Sequence, residues 1–225
     1  MNSILIKNGL VCFEDGVRRA DIFIRGEKLS SSFTGSAADE TINAEGCYVM
    51  PGMIDIHTHL CDKIGNFKLA DGYETGTRIA VMNGITSLYN FITQDGNESL
   101  KESIEKANVK AKGNSYCDYG WHLTPTIAGE EKFEEAEEAI ENGFRTFKFY
   151  TTYRNTGLYA SYDELEKIFE RLGKHDITFL IHCEDNGIIE AESEKEFDFT
   201  EPFKHTLLRP KQAEIKAIGN VINAA

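Results

Sequence analysis

The sequence predicts an α/β protein in which a small β layer precedes part of a (β/α)8 barrel. Three observations carry this reading. Residues 2–50 hold short runs rich in β-branched and aromatic residues and no amphipathic run of helix length. From Pro51 onward the pattern alternates apolar strand and amphipathic helix about five times, which implies parallel β/α units. No G-x-G-x-x-G follows any expected strand, which disfavours a dinucleotide-type open sheet and leaves the barrel. The organisation expected is residues 1–50 as a β domain and residues 51–225 as an incomplete barrel, because about five units cannot close a ring of eight.

In the first segment, "ILIKNGLVCF", "ADIFIRGEKL" and "ETINAEGCYVM" read as strands punctuated by Asn-Gly, Arg-Gly and Glu-Gly turns. "MIDIHTHL" is the first barrel strand, followed by a helix around "YETGTRIAVMNG" that stops at Gly84. "ITSLYNFI" and "ESLKESIEKANVKAKG" form the next pair, closed by Gly113. "YCDYGWHLTPT" leads into "EEKFEEAEEAIENG", with acidic residues at its N-terminal turns and a stop at Gly143. "FRTFKFYTTY" is a strand, "SYDELEKIFERLGKH" a helix and "ITFLIHCE" a strand. Ser161 and Glu164 have the spacing of a capping box. "PKQAEIKAIGNVINAA" is the last helical run.

Composition narrows the function. A chain of 225 residues with 41% hydrophobic content can bury a sizeable core, and its net charge of −13 disfavours nucleic acid or an anionic membrane as main partner. The five cysteines are scattered and form no C-x-x-C pair, which suits reduced thiols in the cytosol. No run approaches the roughly 20 apolar residues of a membrane span, and "MNSILIKNGL" shows no export signal. The expectation is a soluble, cytoplasmic protein.

Four side chains could carry chemistry. Strand parity puts His57 and His59 on one face, with Asp55 below them, near the strand's C-terminal end where barrel enzymes place their sites. Alone, the pair fits a metal site and satisfied polar packing equally. Lys148 lies between Phe147 and Phe149, so Thr146, Lys148 and Tyr150 share the interior face. Desolvation there lowers an amine's pKa, and a neutral amine can react with carbon dioxide to give a carbamate able to bridge two metals. His182 ends another apolar strand. Taken together, these nitrogen and carboxylate-like donors suit zinc or a similar first-row metal. His122 reads as structural, His175 as a surface residue and His205 as part of an irregular stretch, while Cys61 and Cys183 read as packing residues.

"PGMIDIHTHL", "DGYETGTRIAVMNGITSLYNF", "SYCDYGWHL", "FKFYTTY", "LIHCEDNGII" and "HTLLRPKQAE" occur in the order seen in cyclic amidohydrolases, and the chain resembles the hydantoinase and dihydropyrimidinase group over essentially its whole length. The resemblance implies a TIM-type metal-dependent hydrolase barrel carrying a small β-sandwich, of which residues 1–50 are part. It implies that His57 and His59 hold one metal, that carboxylated Lys148 bridges two divalent ions, zinc being the expected metal, and that His182 holds the second. It implies that Tyr153 stabilises the oxyanion formed when metal-bound hydroxide attacks a cyclic amide. Two metals about 3.5–4 Å apart would bring a bridging water towards neutral pKa, and oxyanion donors would contribute about 3–4 kcal/mol. The partners implied are a small cyclic amide or ureide and further copies of the chain, as a dimer or tetramer.

Departures from the family pattern bear on the substrate. Dihydroorotases follow the histidine pair with a substrate-gripping arginine, and here that position is Cys61. Dihydropyrimidinases often carry aspartate there and Met-Ala before the tyrosine, where this chain has "TTY". "GYETGTR" and "NGIT" echo allantoinases. The family also supplies a histidine and an aspartate from later strands, so these 225 residues are expected to be a fragment inactive alone. The alternatives are an allantoinase-like or dihydroorotase-like enzyme and a non-catalytic assembly protein of the same group. A mononuclear deaminase-type site is disfavoured by Lys148.

Overall fold

A computed structural model describes residues 3–30, 38–64, 67–126, 130–195 and 203–225. The chain divides into two compact units, Met1–Met53 and Ile54–Ala225.

The first unit is a mixed β-sheet. Its strands are β1 (Ser3–Phe13), β2 (Gly16–Arg25), β3 (Lys28–Ser30), β4 (Glu40–Asn43) and β5 (Tyr48–Val49), in the order β3–β2–β1–β4 with β5 also on β1. β1 runs antiparallel to β2 and parallel to β4 and β5. The Asn8–Gly9 pair, expected as a turn, is instead a bulge within β1, where the register shifts between Ile6 and Gly9. Asn8 is left-handed at φ 64°. It is held there because its N–H donates to Asp21 and its amide to Asn43.

The second unit contains β6 (Met53–Thr58), β7 (Lys63–Ile64), β8 (Phe67–Lys68), α1 (Tyr73–Met82), β9 (Ile85–Thr93), α2 (Leu100–Ala111), β10 (Asp118–Thr124), α3 (Glu130–Glu141), β11 (Thr146–Tyr150), α4 (Tyr162–Leu172), β12 (Thr178–His182), α5 (Asn186–Ser193), α6 (Lys204–Leu208) and α7 (Lys211–Ala224). The large sheet has the order β12–β11–β10–β9–β6, with β9–β10, β10–β11 and β11–β12 parallel. This is the curled half-barrel that the strand–helix alternation predicts.

The helices follow from their sequences. Ser99 and Ser161 each accept a hydrogen bond from the backbone N–H three residues on, while Glu102 and Glu164 reach back to the caps. In α4, Leu165, Ile168 and Leu172 fall on one face, and all three are fully buried. They pack in one core with Phe147, Phe149, Leu123, Leu100 and the small face of α3, Ala136 and Ala139. Burying one such side chain as large as Phe147 contributes about 1.5–3 kcal/mol. His205, expected in an irregular stretch, lies in the short helix α6. His175 is half-buried rather than superficial, and its Nε2 has no partner among the described residues. No helix among the described residues is long and apolar enough to cross a membrane.

Candidate metal centre

β6 and the residue just past its end bring the two histidines to the ring of Phe91 on β9. The His57 and His59 centroids are 5.3 Å apart and lie 4.7 and 4.8 Å from that of Phe91. The strand ends at Thr58, two residues short of the expected run, because the backbone groups of Leu60 turn to a side chain. Asn90 accepts from the Leu60 N–H at 2.7 Å and donates to the Leu60 carbonyl at 3.1 Å. It also donates to the Tyr73 hydroxyl at 2.9 Å and receives the Thr58 hydroxyl at 3.2 Å. Every hydrogen-bonding position of this buried amide is met.

A left-handed Cys61, at φ 56°, then folds the chain back, so that Asp62 reaches His59 Nδ1 at 2.9 Å. Burial opposes ionisation of Asp62. The His59 ring and the Lys63 N–H overcome this and hold the carboxyl below its usual range. With Nδ1 engaged by a carboxylate, the lone pair of neutral His59 falls on Nε2. Burial depresses His57, and the neighbouring His59, Lys148 and His122 push in the same direction, which favours the neutral imidazole that metal ligation needs.

Lys148 sits between Phe147 and Phe149 in β11 and is 7% exposed. Its Nζ lies 4.9 Å from the Tyr150 centroid and 5.8 Å from that of Phe91. No acceptor among the described residues bonds it. Burial pushes its pKa down, opposed by the Cys183 thiol. Burial also pushes the Tyr150 hydroxyl up to about 12, so that group stays neutral.

His122 contacts the same Phe91 ring, but both of its nitrogens are spent, on Thr146 Oγ1 at 2.7 Å and the Ile56 carbonyl at 2.8 Å. It is structural, as its sequence context suggests.

On the other side of Lys148, the register pairs Tyr150 with His182. His182 Nε2 lies 2.6 Å from Glu184 Oε2, and Glu184 also takes the Arg209 guanidinium. Tyr153, left-handed at φ 65°, lies 5.5 Å from the His182 ring. A cavity of about 510 Å³ is lined by Lys148, His182, Cys183, Glu184, Arg209 and Glu214.

The structure therefore gathers His57, His59 and Lys148 around Phe91, and Lys148 with His182 along one cavity. Lys148 is the element common to both. Among the described residues no three His, Cys, Asp or Glu side chains converge at metal-binding distance. The donors nonetheless suit a nitrogen-liganded cation. Lys148 is a buried amine that bonds no acceptor among the described residues, and His59 has one ring nitrogen fixed by a carboxylate. Sequence reasoning missed Asn90, Asp62, Glu184 and Arg209. A polar residue inside "LYNFI", and acids two and three residues past a candidate ligand, are the signals that mark the first three.

Comparison with known proteins places the chain in a family. D-hydantoinase of Ralstonia pickettii is 32% identical over 227 residues, which cover 99% of this chain and 49% of that protein. D-hydantoinase of Geobacillus stearothermophilus is 31% identical, over 96% of this chain and 46% of its own length. The crystal structure of dihydropyrimidinase from Brevibacillus agri NCHU1002 matches with a TM-score of 0.91 at 32% identity, covering 99% of this chain and 49% of that one. The chain spans about half the length of the curated relatives it matches. Residues 48–219 match the model of the amidohydrolase family, and on that match, over a half-barrel with its histidine-bearing strand ends, the chain belongs to the amidohydrolase family.

Proposed function

We propose that this chain carries the histidine–lysine portion of a two-metal site that opens a cyclic amide, of the dihydropyrimidine or hydantoin class. The observation that carries the proposal is Lys148. It is a buried amine that bonds no acceptor among the described residues, placed between the His57–His59 pair and the His182 cavity. The similarity to proteins named D-hydantoinase and dihydropyrimidinase supports the substrate class.

In this reading His57 and His59 would hold one cation and His182 the second, and Lys148, as its carbamate, would supply an anionic ligand shared by both. Zinc suits the nitrogen donors, and two such ions would supply a water of near-neutral pKa and polarise the ring carbonyl. The chain's own residues prepare that chemistry. Burial holds the Lys148 amine towards its neutral form, so its nitrogen can form a bond to carbon dioxide and release a proton to solvent. Asp62 orients His59, and Tyr153 is the donor for the oxyanion. Residues 1–225 alone are assigned no turnover, because the five-stranded sheet does not close a barrel.

Metal analysis and hydrolysis of dihydrouracil and hydantoin by the protein at its native length test this. About two divalent ions per chain are expected, with loss of metal and of turnover in Lys148→Ala. Unchanged metal content and activity in that variant would sink the bridging role. Hydrolysis by residues 1–225 alone would sink the view that this half-barrel does not turn over by itself.

A further inference from the structure

The side chains around His182 form a closed loop. His182 bonds Glu184, Glu184 bonds Arg209, the Arg209 Cζ lies 4.9 Å from the Tyr153 centroid, and Tyr153 lies back against His182. The loop is anchored to β11 through Thr151. The Thr151 N–H donates to the His182 carbonyl at 3.0 Å, and its hydroxyl lies 2.8 Å from the Glu184 carbonyl. The Glu184 N–H in turn donates to Thr151 Oγ1 at 2.9 Å. Thr151 is fully buried, so the backbone carrying both His182 and Glu184 is fixed to the neighbouring strand.

A carboxylate accepts hydrogen bonds and donates none, whereas a neutral imidazole carries one N–H and one lone pair. The His182 nitrogen facing Glu184 must therefore hold the hydrogen. We propose that Glu184 and Arg209 are positioning residues for this site. Glu184 fixes His182 in the Nε2–H tautomer and so presents Nδ1 as the donor, while Arg209 locks Glu184 and the Tyr153 ring into one unit. The guanidinium can do both at once, because one of its N–H groups serves the carboxylate while its central carbon lies over the aromatic ring. Ligand and oxyanion donor are then set by one arginine. This inference rests on the two-metal reading for its consequence, but not for the tautomer itself.

Two measurements on the protein at its native length test it. In the metal-free protein, ¹⁵N NMR is expected to show His182 as the Nε2–H tautomer, and Glu184→Ala to give a mixture. In zinc titrations, Glu184→Ala is expected to weaken the second equivalent by about 10–100-fold and leave the first unchanged. Glu184→Gln, whose amide oxygen still accepts, recovers most of that loss. Arg209→Gln is expected to lower kcat at saturating zinc with little change in KM, and Arg209→Lys, lacking the planar face, not to restore it. An unaltered His182 tautomer together with unaltered zinc affinity in Glu184→Ala overturns the proposal. Parallel loss of both zinc equivalents with a lowered Tm also overturns it, because that is the signature of a merely structural role. A wild-type protein that binds no zinc overturns the two-metal reading instead, and the tautomer still decides this one.

Discussion

β6 and β11 each carry candidate ligands, and they hold them by opposite means. In β11 the candidate ligand is flanked by Phe147 and Phe149, at 0% and 3% exposure, so Lys148 is placed by packing. In β6 the flanking apolar residues Ile54 and Ile56 are 62% and 66% exposed. Besides its pairing with β9, that strand and its exit are held by polar ties: Thr58 and Leu60 to Asn90, and the Ile56 carbonyl to His122. The comparison teaches that, within residues 1–225, two strands of one sheet hold candidate ligands by different means: β11 is an interior strand set by packing, whereas β6 is the edge strand beside β9 and side-chain hydrogen bonds from its neighbours tie its end in place.

The contrast predicts a graded set of effects on residues 1–225. The largest falls on β11. Phe147→Ala removes a fully buried ring and should cost about 3–5 kcal/mol in urea unfolding. A loss below about 1 kcal/mol would mean that the core relaxes around β11 and that packing does not place Lys148. Asn90→Ala comes next. It leaves the Leu60 N–H and carbonyl without their partner, for about 1–3 kcal/mol, and the His57 and His59 ring resonances should broaden or move together. Unmoved rings would show that β6 is held by something other than Asn90.

A smaller effect is expected from pH. Burial pushes His122 below its ordinary value of 6.5, and Lys148 adds to this against the opposing bond to Ile56. The unfolded chain therefore binds a proton that the folded chain refuses. The contribution is fully present above about pH 6.5 and is lost as pH falls through that value. Unfolding midpoints between pH 8 and 5 should decline more steeply for the natural chain than for His122→Gln, and equal slopes would reject the assignment. The smallest effect belongs to β6. Ile56→Ser should change stability by no more than about 0.5 kcal/mol, and a loss of several times that would reveal a covering layer over this strand.

The parts of this arrangement with a local period were legible in the sequence. "SYDELEKIFERL" announced α4 through its cap and its Leu165, Ile168 and Leu172 face, and parity alone put His57 and His59 on one side. Lys148 was visible as a charge inside an apolar run, which burial makes costly. What escaped was non-local. Asn8–Gly9 has the composition of a turn and became a bulge because Asp21 and Asn43, distant in sequence, supply its bonds. Helices α5 and α6 were not separated from their surroundings. Arg209 acquires its role only when α6 and α7 bring it beside Glu184, more than twenty residues earlier.

The four-way saturation of Asn90 has one more consequence, for transplantation. The H-x-H signature looks self-contained, yet the bend that follows it is written on another strand. Aspartate at position 90 would lose both donors, leucine would lose every bond, and glutamine would place the amide one methylene too far. Grafting "HTHL" onto a new scaffold would therefore carry over the donor atoms without their aim unless an asparagine on the adjacent strand travelled with it.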